Sequence, residues 1–281
     1  MKRLFKILAA LVLGIVPEHS ALAVEASRPN IVSIMADDMG RSDIGCSGSE
    51  IPKKIPFSKG KDPKHPDHAL LEIRGWTVHL NKKLWKKNRK ATAEMLKLLD
   101  AQLKRVVDAV PPKALAHLRT IPIWVNPKYK GIIPRGEYHP SAKWLKEHGR
   151  NPEMAKSVEI TNVSIFPREN RRMPLMLLHE FAHAYHDQVL GFDNPEIKAA
   201  YEKARKSGRY DKVKRTDGKN ISMGRAYAMT NDKEYFAELS EALFGKNDFE
   251  PFDREELKKF DPAGFAVVAK MWGLDVGKPK K

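Results

Sequence analysis

Leu175-Met176-Leu177-Leu178-His179-Glu180-Phe181-Ala182-His183 sets two histidines and a glutamate inside an otherwise apolar run. Pro174 suits the first turn of a helix and Gly191 suits its end, so the sequence predicts a helix over about 174–190. On a helix, residues four apart lie about 40° apart in azimuth and about 6 Å apart along the axis. The imidazoles of His179 and His183 can therefore converge on one ion. Two histidines at this spacing bind zinc at about 2.0–2.1 Å, and the glutamate beside the first of them can take a proton from the ion's water. Without an ion, three ionisable groups among apolar flanks would be desolvated with nothing to offset the cost.

A catalytic zinc needs a third protein ligand and an open position. His186 lies seven residues beyond His179, about 10 Å along the axis, too far for all three histidines to share an ion. It reads as a polar surface group or a support for the ligands. Position 189, where a third histidine at metzincin spacing would fall, is Val189. The stretch Thr230-Asn231-Asp232-Lys233-Glu234-Tyr235-Phe236-Ala237-Glu238 offers two carboxylates one turn apart among residues that would pack inward. One can bind the metal while the other accepts the free N–H of a ligand histidine and fixes its tautomer.

With Tyr227 seven residues before Glu234, residues 179–238 resemble the gluzincin metallopeptidases, and among them the catalytic domain of anthrax lethal factor. The resemblance implies a zincin-like fold, one zinc ion held by His179, His183 and Glu234, and Glu180 as general base. It also implies Tyr227 as the hydroxyl that steadies the oxyanion or protonates the leaving group. Glu238 is then left to orient a ligand histidine. In enzymes of this kind a sheet edge above the metal takes substrate as an added strand. Residues 158–166 are the candidate edge, by their position just upstream of the site helix.

Working outward, Leu71 to Leu80 has strand character, residues 89–110 carry a recurring apolar helical face, and residues 121–125 and 158–166 read as strands. Residues 126–156 look loop-rich. Further helices are predicted over about 195–206 and 231–244, with shorter ones to about 273. The fold class is α+β: a small mixed sheet with a backing helix, the metal-motif helix, and a helical C-terminal half. That domain spans 69–276. Upstream, Lys2, Arg3 and Lys6 precede an apolar run from Ile7 to Val16 and the small-x-small triplet Ala21-Leu22-Ala23, the pattern of a signal peptide over 1–23. Residues 24–68 read as a poorly ordered remnant and linker. Within them Arg28 to Cys46, including Asp37 and Asp38, is similar to the opening of the arylsulfatases. The nucleophile pattern of that family is absent, because Cys46 is followed by Ser47-Gly48-Ser49-Glu50.

The single cysteine excludes an intrachain disulfide and a cysteine-based zinc cage. A formal net charge of +16 favours anionic partners, with no signature specific to nucleic acid. No segment after the leader suits a transmembrane helix, and the leader predicts a secreted or periplasmic location. The expectation is a zinc metallopeptidase acting on peptide or protein substrates. The alternative is a non-catalytic cationic zinc protein that binds anionic extracellular polymers, and Glu180 argues against it, because a structural zinc site has no use for a base.

Overall fold

The dipeptide Arg74-Gly75 folds the first predicted strand back on itself. Both residues have positive φ, +54° and +90°, as a two-residue hairpin turn of matching twist requires. The arginine is held by Asp100, whose carboxylate accepts from Nε at 2.7 Å and from Nη2 at 2.9 Å. A computed structural model of the chain describes residues 52–275. The leader-like segment and the sulfatase-like stretch lie outside the described residues.

Six strands form a mixed sheet: β1 (Ser58–Lys61), β2 (His68–Ile73), β3 (Trp76–Asn81), β4 (Ile123–Val125), β5 (Gly136–His139) and β6 (Ser157–Ile160), in the order β1-β2-β3-β4-β6-β5. β1, β2 and β3 run antiparallel, β3, β4 and β6 parallel, and β5 closes the far edge antiparallel to β6. Strands alternate their side chains between faces. One face therefore collects Leu71, Ile73, Trp76, Val78, Leu80, Ile123, Val125, Val158 and Ile160, all buried.

The helices are α1 (Lys82–Lys87), α2 (Arg89–Ala109), α3 (Pro112–Leu118), α4 (Ala142–Glu147), α5 (Phe166–Arg172), α6 (Met176–Tyr185), α7 (Pro195–Lys206), α8 (Asp232–Phe244), α9 (Arg254–Phe260) and α10 (Pro262–Met271). α2 lays its stripe of Met95, Leu96, Leu99, Leu103 and Val106 into the main core. α6 joins it through Leu177, Leu178 and Phe181, whose ring stacks on Trp76 at 5.4 Å. Each such side chain contributes about 1.5–3 kcal/mol on burial. α10 then fixes α8 in place. The Asp261 carboxylate accepts the Tyr235 hydroxyl at 2.6 Å and the Gly264 N–H at 3.0 Å, so one side chain caps α10 and ties it to α8.

The α+β class and the mixed sheet agree with the expectation, and several boundaries differ. Part of the predicted linker is strand β1. The loop-rich stretch holds β5 and α4, and between α7 and α8 the chain forms a hairpin of β7 (Val213–Thr216) and β8 (Ile221–Gly224). The predicted strand 158–166 ends at Ile160, and from Phe166 the chain is helical. It is not an edge: β6 lies between β4 and β5, and β5 takes the edge position assigned to it. Among the described residues no helix is long and apolar enough to cross a membrane.

Candidate metal centre

α6 is buried along nearly its whole length, and its inward polar residues face α8. His179 and His183 project one turn apart. Asn231 caps α8 by accepting the backbone N–H groups of Lys233 and Glu234, both at 2.9 Å, which sets Glu234 in the first turn opposite them. The predicted ligands meet. Glu234 Oε2 lies 3.1 Å from His179 Nε2 and 3.2 Å from His183 Nε2, and the two nitrogens are 3.1 Å apart. A tetrahedral zinc with ligand bonds of about 2.0–2.1 Å places its ligands about 3.3–3.4 Å from one another. The triangle matches one face of that tetrahedron to within a few tenths of an ångström, so the donor set fits the ion.

The electrostatics also suit a cation. Burial works against the charged form of His179, yet hydrogen bonds to Glu234 and Glu241 outweigh it and hold the imidazole well above its ordinary range. Burial likewise opposes ionisation of Glu234, and the two imidazoles outweigh it, holding the carboxyl far below its usual value. The pocket stabilises positive charge between these groups.

Behind the triangle the structure departs from the expectation for Glu238. His179 Nδ1 donates to Glu241 Oε1 at 2.9 Å, while Glu238 Oε1 stands 3.6 Å away. Helical geometry gives the reason. A residue seven beyond Glu234 drifts only about 20° from its azimuth, against about 40° for one four beyond. With Glu241 accepting from Nδ1, the neutral form of His179 would turn its Nε2 lone pair to the triangle. Burial pushes both the Glu238 and Glu241 carboxyls up. Glu241 could have been found by extending the Glu234 face one further turn.

Glu180 is buried beside the triangle, and its Oε2 accepts the Tyr138 backbone N–H at 2.8 Å. Tyr138 lies on β5, which approaches α6 closely because of Gly136: a Cβ there would stand 2.8 Å from Met176 Sδ. Burial raises the Glu180 carboxyl above the usual range, which makes it a better proton acceptor when ionised. Tyr227 sits in a short turn, Tyr227–Met229, ahead of α8, half exposed, with its ring 6.4 Å from that of His179. Burial, then the Glu234 charge, push its phenol up, so it carries its proton at neutral pH.

His186 is neither a surface group nor a support for the ligands. It is fully buried, packed against the rings of Phe192 and Phe236 at 5.2 Å each, and among the described residues neither ring nitrogen has a hydrogen-bond partner. Burial drives its pKa down to about 4. α6 stops at Tyr185 and gives way to a wider π-type turn, His186–Leu190, closed by Gly191 at φ +79°.

Comparison of the chain with protein-family models, with curated proteins and with solved structures returns no match.

Proposed function

We propose that this chain is a metal-dependent hydrolase with a single catalytic zinc ion. Within that class, we read it as a peptidase of gluzincin type. The observation that carries the reading is the triangle of His179 Nε2, His183 Nε2 and Glu234 Oε2, with sides of 3.1–3.2 Å, flanked by the buried Glu180. A zinc ion held there supplies Lewis acidity and an activated water.

The chain's own residues supply the remainder. Tyr138 holds Glu180 through Oε2 and leaves Oε1 to accept a proton from the attacking water and return it to the departing amine. The Tyr227 hydroxyl donates where negative charge develops on the carbonyl oxygen. His179 is kept in the tautomer that offers Nε2 by its hydrogen bond to Glu241. β5 is an edge strand beside this cluster, and an extended peptide added along it would be aligned through its backbone, with little regard to sequence. We place the protein outside the cytoplasm on the strength of its leader-like first 23 residues.

The test is digestion of a diverse peptide library by the purified chain, with and without a chelator and after zinc is restored. Cleavage that the chelator stops and zinc restores supports the reading. Tight zinc binding with no cleavage, together with salt-sensitive retention on anionic polymer, favours a cationic binding protein instead.

A further inference from the structure

The face of the sheet turned away from α6 carries a second cluster of metal-binding side chains. Alternation on β2, β3 and β4 sends His68, His79 and Trp124 to that face, with His79 and Trp124 opposite one another in register. The His79 ring stacks on Trp124 at 4.2 Å, and His65 and His68 meet the indole edge-on at 4.7 and 5.2 Å. The segment after β1 folds over them. Its Asp62 is buried, and Oδ1 accepts the backbone N–H groups of Lys64 and His65 while Oδ2 lies 2.5 Å from His79 Nδ1. Asp62, His65 and His79 each bring one ligand atom to within 4.8 Å of the others.

A neighbouring group on the same face defines what is unusual here. Glu137, His139 and Glu159 also gather within the same distance, but the buried Arg150 guanidinium is a fixed cation paired with both carboxylates. Among the described residues Asp62 has no lysine or arginine partner, and its one ionic neighbour is His79. Nearby, the His68 Nδ1 atom is buried with no hydrogen-bond partner among the described residues. Three imidazoles and a buried carboxylate are thus gathered with no lysine or arginine paired to the carboxylate among the described residues.

We propose that Asp62, His65 and His79 bind a second divalent transition-metal ion, of the zinc class, which clamps the segment after β1 onto the sheet. Two imidazoles and one carboxylate form a donor set suited to zinc and to its neighbours in the series. Glu153 Oε2 lies 3.3 Å from His65 Nδ1. The site is on the opposite face of the sheet from His179 and His183 and does not depend on the hydrolase reading.

The experiment is a metal count. The full chain is stripped with chelator, equilibrated with excess Zn2+, desalted and analysed by mass spectrometry for zinc per chain. Wild type should hold two ions, His65→Ala one, His183→Ala one, and the double variant none. His79→Gln should repeat the His65→Ala result and guards against an effect peculiar to that loop. Melting in chelator checks folding: wild type and His65→Ala should coincide. Added zinc should then raise the melting temperature of His183→Ala and leave that of the double variant unmoved. A wild-type count of one that His183→Ala abolishes overturns the second site, as does a His65→Ala count equal to wild type. A single ion lost in His65→Ala and kept in His183→Ala upholds it and removes the catalytic ion instead.

Discussion

His179 Nδ1 lies 2.9 Å from Glu241 Oε1, so the first histidine of the site helix is oriented from two turns along the helix that also carries Glu234. One element thus carries both a carboxylate of the proposed metal triangle and the group that orients His179. Glu241→Ala should weaken zinc affinity about 10- to 100-fold. Glu238→Gln should change it less, because Glu238 Oε1 stands 3.6 Å from His179 Nδ1, beyond hydrogen-bond distance. Competition for zinc against a chromophoric chelator measures both, and a larger loss from the Glu238 variant would reverse the assignment.

Tyr227→Phe should leave zinc affinity within about twofold and lower kcat by about 10²–10³, the usual cost of removing one donor to a developing oxyanion. Steady-state kinetics on a single cleaved peptide, with a zinc count beside them, separate the two effects. An unchanged kcat would remove the hydroxyl from the reaction.

His186 gives a prediction in pH. Its folded pKa, about 4, lies below the ordinary 6.5, so the unfolded chain binds the proton more readily than the folded one. The neutral ring's contribution is fully present above about pH 6.5 and is lost as pH falls towards 4. The loss is on the order of 3 kcal/mol. His186→Phe should remove that part of the decline, so urea unfolding of the zinc-free proteins at pH 7 and pH 4.5 should show the variant gaining relative to wild type at the lower pH. Parallel pH dependences would contradict the assignment.

Gly264 marks where α10 meets α8 most closely: a Cβ there would stand 2.3 Å from the Tyr235 hydroxyl and 2.6 Å from Asp261 Oδ2. Gly264→Ala should destabilise the fold by about 1–3 kcal/mol, because the crowded atoms belong to a buried hydrogen-bonded pair. Thermal or urea unfolding tests it. A variant as stable as wild type would mean that the two helices separate freely.

Much of this architecture is legible in the sequence where local signals agree. α7 follows its Asn194 cap and Pro195, α2 its apolar stripe, and α8 its Asn231 cap, because capping and periodicity are properties of a few adjacent residues. The three predicted ligand side chains meet because the spacing on α6 fixes two of them, while Glu234 came from a resemblance in spacing. What stayed hidden depends on contacts between distant segments. β5 is four residues long, and its edge position follows from its pairing with β6 rather than from its own pattern. The polar Ser58–Lys61 segment has no apolar alternation to announce a strand; it becomes one by pairing with β2. His186 looked like a surface residue because its enclosure comes from Phe192 and Phe236, which the helix pattern alone does not place.

The most direct test of the catalytic reading is Glu180→Gln, made on the zinc-loaded chain and assayed for metal content and peptide turnover together. The account predicts zinc bound as in wild type and turnover lower by about 10²–10⁴. Peptide cleavage at the wild-type rate with the metal still in place would contradict it.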